Sequence, residues 1–159
     1  MAEFFTDEQI KAYIGESKPL PVELADLTPP LRNTRAGHKE AQYDVTGTSG
    51  MDYRVIIRQS VHNLFDFSII LAHLSKTTNQ VFRLRRYNGK SHEHTNQIER
   101  DRFYGFHIHM ATQRYQERGL KEDGFAEPTE RYGDLASALD CLITDCGFVQ
   151  PADRPARLF

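Results

Sequence analysis

The sequence predicts a single α+β domain, an antiparallel sheet of about four strands covered by a C-terminal helix. Three observations carry this prediction: segments rich in β-branched and aromatic residues, turn residues between them, and an amphipathic helical pattern near the C-terminus. A chain of 159 residues is long enough to bury one hydrophobic core. The expected strands cover 53–60, 65–75, 81–87 and 103–111.

The region before the core strands is expected to hold a helix and an extended arm. Thr6 and Gln9 fit a capping box, which predicts a short helix that ends near Gly15. The proline-rich segment 18–31 is expected to be an extended connector, and the glycine-containing segment 32–50 a mobile loop. The expected division is therefore an N-terminal helix and arm at 1–50 and an α+β core domain at 51–159.

Alternation along the third predicted strand separates a buried face from an exposed one. Phe82 and Leu84 are expected on the buried face. Arg83, Arg85 and Tyr87 are expected on the exposed face, since residues two apart point the same way in a strand.

The fourth predicted strand carries two histidines that should project together. His107 and His109 are two residues apart, so they share a face. Asn88 and Gly89 form a strong turn signal, and the polar segment 90–102 is expected to be an exposed loop. If the third and fourth strands pair around that loop, the exposed arginines lie beside the two histidines.

The C-terminal part of the chain predicts a covering helix. Asp134 is expected to cap this helix, and Gly147 to end it. The segment 124–132 before it is expected to be a loop in which Tyr132 fills the edge of the core. The apolar stripe of the helix consists of Leu135, Ala138, Leu139, Leu142 and Cys146.

Composition narrows the class of protein. A formal net charge of -2 argues against a generic polyanion-binding surface, so any nucleic-acid contact is expected to be local. The spacing of Cys141 and Cys146 on a helix prevents them from pairing with each other, which predicts reduced thiols. The acidic N-terminal stretch lacks a signal-peptide pattern, and the longest apolar run is far shorter than the roughly 18 residues of a membrane span. A cytoplasmic protein without a membrane partner is expected.

Four of the seven histidines form two His-x-His pairs close to a group of cationic residues. Imidazoles exchange protons near neutral pH, and arginines hold phosphoryl groups, so this stretch is interpreted as a phosphate site. The candidate acid–base residues are His92, His94, His107, His109 and Tyr87. The candidate substrate-binding residues are Arg83, Arg85, Arg86, Lys90, Arg100 and Arg102. An exposed sheet face with a solvated polar loop explains the same pattern, and the two interpretations stay open.

A metal site is a competing interpretation. His92, His94 and Glu99 loosely resemble the first half of a cupin ligand motif, and such a set would suit zinc, iron or nickel. The second half of that motif is absent, so the preferred interpretation involves no metal or other cofactor.

The order of elements between 51 and 147 resembles small toxins of the TumE type from bacterial and archaeal toxin–antitoxin modules. The residues that carry the resemblance are Arg85, Arg86, Tyr87, Asn88, Lys90, His92 and His94. The resemblance implies a toxin-like component acting on RNA or translation and neutralised by a cognate antitoxin protein. The leading prediction is a metal-independent ribonuclease; the alternatives are a non-catalytic protein- or nucleic-acid-binding module and a metal-dependent enzyme using the His-x-His pairs. A homodimer is compatible with each.

Overall fold

The computed structural model of the chain describes residues 3–34 and 37–150. The α-helices are α1 Asp7–Gly15, α2 Gln113–Glu117 and α3 Leu135–Asp145. The strands are β1 Lys18–Pro19, β2 Arg32–Asn33, β3 His38–Thr46, β4 Asp52–Ser60, β5 Phe67–Leu74, β6 Val81–Asn88, β7 His94–Thr95, β8 Arg102–Phe103, β9 His107–Met110, β10 Phe125–Pro128 and β11 Phe148–Val149. One short 3-10 helix covers Val22–Leu24.

The main sheet has seven antiparallel strands in the order β10-β9-β6-β5-β4-β3-β2. The four predicted strands form its centre, which confirms the α+β class. The prediction of about four strands is too small, because β2, β3 and β10 lie in segments that were expected to be loops. β3 runs alongside β4 from His38 opposite Ser60 to Thr46 opposite Asp52. A continuous backbone ladder therefore forms a strand from residues too polar for the sequence pattern to reveal.

One face of the sheet packs under α1 and α3 and forms the main hydrophobic core. The predicted cap of α3 is confirmed, since the Asp134 carboxylate accepts from the backbone N–H of Ser137 at 2.8 Å. Gly147 follows the helix with a φ of 77°, a left-handed conformation that glycine adopts without strain. The expected stripe faces the core: Ala138, Leu139, Leu142 and Cys146 are buried and Leu135 packs against them. Both Cys141 and Cys146 are free thiols.

The first fifty residues supply part of the same core. The capping box of Thr6 and Gln9 is present at the start of α1. The Lys18 side chain is fully buried between the ends of α1 and α3. Its ammonium donates to backbone carbonyls there, including those of Tyr13 and Cys146 at 2.7 Å each. Lys18 thereby joins the N-terminal helix to the C-terminal one.

A bulge in β6 determines which side chains reach the opposite face of the sheet. Leu71 pairs with Arg85 but the next residue, Ala72, pairs with Arg83, so Leu84 is the extra residue. The expected alternation is therefore wrong beyond Leu84. The side chain of Arg85 lies on the helix-covered face, which packs under α1 and α3. Arg86 instead lies on the opposite, open face of the sheet. No helix of the described ranges is long and apolar enough to cross a membrane.

Candidate metal centre

Two strands place the second His-x-His pair on the face of the sheet away from α1 and α3. In the ladder between β6 and β9, His109 is opposite Arg86 and His107 is opposite Asn88. The expected common direction of His107 and His109 is confirmed, since their ring centroids are 5.0 Å apart. Both rings are almost fully buried.

The segment between β6 and β9 folds back over this pair. β7 and β8 form a small hairpin in which His94 is opposite Phe103. The hairpin carries the His94 ring to within 5.3 Å of the His107 ring and 4.7 Å of the His109 ring, centroid to centroid. The prediction that 90–102 is a wholly exposed loop is therefore wrong. Asn96 within it is only 1% exposed.

Three imidazoles thus converge in one place. One ring nitrogen from each of His94, His107 and His109 lies within 4.8 Å of the corresponding nitrogens of the other two. Each His-x-His pair contributes to this group, but the first pair contributes only one member.

The hydrogen bonds of the β9 pair determine where its protons are. His107 Nδ1 lies 2.8 Å from the carbonyl oxygen of Gly105, and His109 Nδ1 lies 2.8 Å from that of Asp123. A carbonyl oxygen only accepts, so both Nδ1 atoms carry a proton and both Nε2 atoms keep a lone pair. Gly105 presents its carbonyl from a φ of 100°, which favours glycine.

Asn96 determines the proton position of His94 in the same way. Its Oδ1 accepts from the backbone N–H of Ala126 at 2.8 Å, and its Nδ2 donates to the Ala126 carbonyl at 2.9 Å. His94 Nε2 lies 2.8 Å from that same Oδ1 and must donate to it. In the neutral form of this ring, the Nδ1 atom is therefore the one with a lone pair.

Burial keeps the β9 pair neutral. Desolvation lowers the pKa of His107 to about 4, and the neighbouring positive groups act in the same direction. Desolvation, together with the charge of Arg86, lowers the pKa of His109 to about 2. Both rings are neutral at physiological pH, which is the state in which imidazole binds a metal ion.

Neutral imidazoles with a fixed proton on the outer nitrogen are the usual arrangement of metal-binding histidines. Three such rings form the ligand set of catalytic zinc sites that keep a fourth position open. With zinc–nitrogen bonds of about 2.0–2.1 Å, ligand nitrogens around a tetrahedral ion are roughly 3.4 Å apart. Binding would therefore draw the three rings together by about 1 Å or less each, within the reach of side-chain rotation. The residues present fit a divalent transition metal.

A pocket of about 540 Å³ is lined by two members of the group of three, His94 and His109. Its lining contains Arg86 and Lys121 as cations and no carboxylate. The guanidinium of Arg86 is held from behind, since Nε donates to the Asp123 carboxylate at 3.1 Å. The lining residues are Arg86, Asn88, His92, His94, Thr95, Gln97, His109, Tyr115, Gly119, Leu120, Lys121 and Gly124.

Two of the predicted acid–base residues lie outside the group of three. His92 is on the exposed turn before β7, lines the pocket, and has its Nδ1 2.9 Å from the Ser91 hydroxyl. Tyr87 is buried on the helix-covered face, where its hydroxyl donates to Asp145 at 2.6 Å. The bulge in β6 explains the position of Tyr87.

The predicted cationic residues are spread over several surfaces. Arg86 lines the pocket, whereas Arg83 lies farther along the same face beside Glu122 and Asp123. Lys90 rests over the rings of Phe65 and Phe106. Three others lie away from the pocket: Arg85 beneath the helices, and Arg100 and Arg102 on exposed parts of the β7–β8 hairpin. Glu99, the carboxylate of the competing metal interpretation, instead binds Arg114 and Tyr115.

Sequence reasoning missed the residues that orient the imidazoles. Asn96 and Asp123 are buried polar residues in segments that read as polar loop and turn, so no periodic pattern distinguishes them. The spacing of His107 and His109 on a strand was a usable signal for the pair. Tyr132 was expected at the core edge and is there, with its hydroxyl 2.8 Å from the Asn88 carbonyl and 2.9 Å from the His107 carbonyl.

Comparison of the chain with protein-family models, with curated proteins and with solved structures finds no match in any of the three.

Proposed function

We propose that this protein is a metal-dependent enzyme in which His94, His107 and His109 bind one divalent transition-metal ion. The observation that carries the proposal is the convergence of three imidazoles, each of which has one ring nitrogen bonded to a fixed acceptor. This proposal takes up the alternative of a metal-dependent enzyme that uses the His-x-His pairs, and His92 and Glu99 of the cupin-like set are not among its ligands.

The number of protein ligands favours catalysis over a structural role. Structural zinc sites have four protein ligands, and catalytic sites have three and keep one position for water or substrate. Among the residues that the structure describes, no other histidine, cysteine or carboxylate joins the group of three. An ion held by these three residues would supply Lewis-acid chemistry at the edge of the pocket, where it would lower the pKa of a water molecule and polarise a substrate oxygen. Hydrolysis is the reaction class that this arrangement supports best.

Cobalt substitution tests both the site and its open position. Chelator-treated protein loaded with Co²⁺ should show the intense visible absorption of a low-coordinate site, with one equivalent bound. Azide should shift that spectrum, because it occupies an open coordination position. An unchanged spectrum with azide would indicate a closed, structural site, and the absence of bound cobalt would overturn the proposal.

Hydrolysis of p-nitrophenyl acetate, a small uncharged ester, tests the reaction class. Zinc-loaded protein should release p-nitrophenol, and chelation or the change His109→Ala should abolish the release. His62→Ala is the matched control because His62 is an exposed histidine on the turn after β4, remote from the pocket lining. Equal rates in wild type and His109→Ala would contradict the proposal.

The ribonuclease and toxin predictions concern the same pocket and stay predictions. The cationic pocket lining supports an anionic substrate, of which RNA is one. Inducing the wild-type chain and the double variant His107→Ala/His109→Ala in a bacterial host tests the toxin prediction. Growth arrest by wild type alone would support it, and equal growth at matched soluble expression would contradict it.

A further inference from the structure

The charge of the pocket lining differs from that of the whole chain. The chain has 22 acidic and 20 basic residues, yet the pocket lining has two cations and no carboxylate. The remaining polar side chains of the lining are amides, hydroxyls and histidines. Such a lining favours an anionic ligand over a neutral or cationic one.

Arg86 is positioned to meet that ligand. It is directly opposite His109 in the ladder, which places their β-carbons about 5 Å apart. Its Nε is fixed by Asp123, whose side chain is fully buried. Within residues 3–34 and 37–150, the guanidinium of Arg86 makes no other hydrogen bond. The two terminal nitrogens of Arg86 therefore remain as donors on a side chain that cannot swing away.

Local charge balance leaves room for further negative charge. Asp123 pairs with Arg86, and Glu122 lies 3.6 Å from Arg83, so these two pairs are neutral. Lys121 and a bound divalent cation then give the pocket an excess of positive charge. An anion bridging the cation and Arg86 would offset that excess.

We infer that the ligand of this pocket is a phosphate ester whose phosphoryl group lies between the metal and Arg86; the inference rests on the proposed metal site. A phosphoryl group offers several oxygens around one tetrahedral centre, so one can bind the cation while others accept from Arg86 and Lys121. A carboxylate has only two coplanar oxygens. The rest of the pocket, walled by Tyr115 and Leu120, has room for an organic group of nucleotide size.

The reaction that follows is hydrolysis of the phosphate ester. The oxygen of one water molecule forms a bond to phosphorus while the bond from phosphorus to the ester oxygen breaks. One proton of that water passes to the leaving oxygen, and the other leaves with the phosphate product or to solvent. Arg86 neutralises charge on the phosphoryl oxygens in the transition state.

Titration of the cobalt-loaded protein with inorganic phosphate tests this inference. Phosphate should shift the visible spectrum, and Arg86→Gln should weaken phosphate binding by about 10- to 100-fold, since a charge-assisted pair of hydrogen bonds is lost. Arg86→Lys keeps the positive charge but loses the paired N–H donors of the guanidinium. Its affinity for phosphate should therefore lie between those of wild type and Arg86→Gln. Arg58→Gln is the matched control because Arg58 pairs with Glu40 on the same face of the sheet, away from the pocket.

The outcomes separate this inference from the proposed function. If cobalt binds and azide shifts the spectrum, but phosphate binds wild type and Arg86→Gln equally or binds neither, the phosphate inference is wrong and the metal site stands. If no cobalt binds, the metal site itself fails and the inference falls with it. Bound cobalt in Arg86→Gln shows that the variant retains the fold of the site.

Two chromogenic esters identify the source of the phosphoryl group. Zinc-loaded protein that cleaves p-nitrophenyl phosphate acts on monoesters, which supports a small phosphorylated substrate. Cleavage of bis(p-nitrophenyl) phosphate alone supports a diester, such as a nucleic-acid strand. Cleavage of neither ester, at protein concentrations that hydrolyse p-nitrophenyl acetate, would overturn the inference.

Discussion

The two His-x-His pairs have the same spacing, but only one of them contributes both of its rings to the group of three. His107 and His109 lie on β9, where alternation turns both rings to one side, and they are 2% and 4% exposed. His92 and His94 lie where a turn enters β7, and only His94 reaches the group. The spacing therefore predicts a pair of ligands only where the backbone is a strand, and the third ligand depends on how a separate hairpin folds back.

Their hydrogen bonds differ in the same sense. The β9 rings donate to backbone carbonyls, which are fixed by the fold. His94 donates to Asn96, itself held by two bonds to the backbone of Ala126. The ring of His92 has its Nδ1 2.9 Å from the exposed hydroxyl of Ser91, the adjacent residue. Three rings are thus oriented by groups that the fold fixes, whereas His92 is bonded only to an exposed neighbouring side chain.

The largest expected effect is acid destabilisation by the buried pair in metal-free protein. Both folded-state pKa values are lowered from about 6.5, so below pH 6.5 the unfolded chain takes up protons that the folded chain excludes. The two neutral histidines therefore stabilise the folded protein above that pH, and this stabilisation is lost as the pH falls. At about 1.36 kcal/mol per pKa unit, the free energy of unfolding falls by about 2 kcal/mol for each ring when the pH is lowered from 6.5 to 5. Urea unfolding at pH 7.5 and 5 measures the loss.

The control for acid destabilisation is the double variant His107→Gln/His109→Gln. It should lose about 4 kcal/mol less than wild type over the same pH range. It should retain the part due to His73, whose pKa is lowered by burial elsewhere in the core. An equal loss in both proteins would show that the β9 pair is not held neutral.

Removing a ligand should have the next largest effect. His107→Ala or His109→Ala should weaken zinc binding by about 100- to 1,000-fold, because four-ligand sites supply about 10–16 kcal/mol in total and one ligand supplies about a quarter. Competition with a chromogenic chelator measures the affinity. His62→Ala, an exposed histidine outside the group, should bind zinc like wild type. Unchanged zinc affinity in either variant would contradict the role of the β9 pair as metal ligands.

Loosening His94 should have a smaller effect. Asn96→Ala removes the acceptor that orients His94, and losing such a supporting contact lowers metal affinity by about 10- to 100-fold. Asn96→Asp keeps an acceptor for the His94 ring and should recover part of the affinity. If both variants bind zinc as wild type does, Asn96 has no role in positioning the ligand.

The smallest effect is expected at His92. His92→Ala should change zinc affinity by no more than about threefold, since this exposed ring is not one of the converging ligands. The same chelator competition measures it. A loss as large as that of His94→Ala would mean that the first pair acts as a unit.

The sequence was sufficient where local chemistry decides the structure. The capping residues Thr6 and Asp134 start helices in the expected places, and strand alternation correctly placed His107 beside His109. In these cases the deciding contacts lie within a few residues of each other along the chain.

The sequence was insufficient where distant partners decide the structure. β3 is too polar to be recognised alone and exists because β4 supplies its ladder. The bulge at Leu84 arises where β6 pairs with β5, and it places Arg86 rather than Arg85 on the open face. Asn96 acquires its function only when Ala126, thirty residues away, lies beside it. The third ligand and its support therefore followed from tertiary pairing rather than from spacing.

The most direct test of the account is the metal content of the purified chain by native mass spectrometry after incubation with zinc and removal of excess. We expect one zinc ion per wild-type chain and none on the folded double variant His107→Ala/His109→Ala. Wild-type protein that retains no zinc, or a double variant that retains as much as wild type, would contradict the three-histidine site.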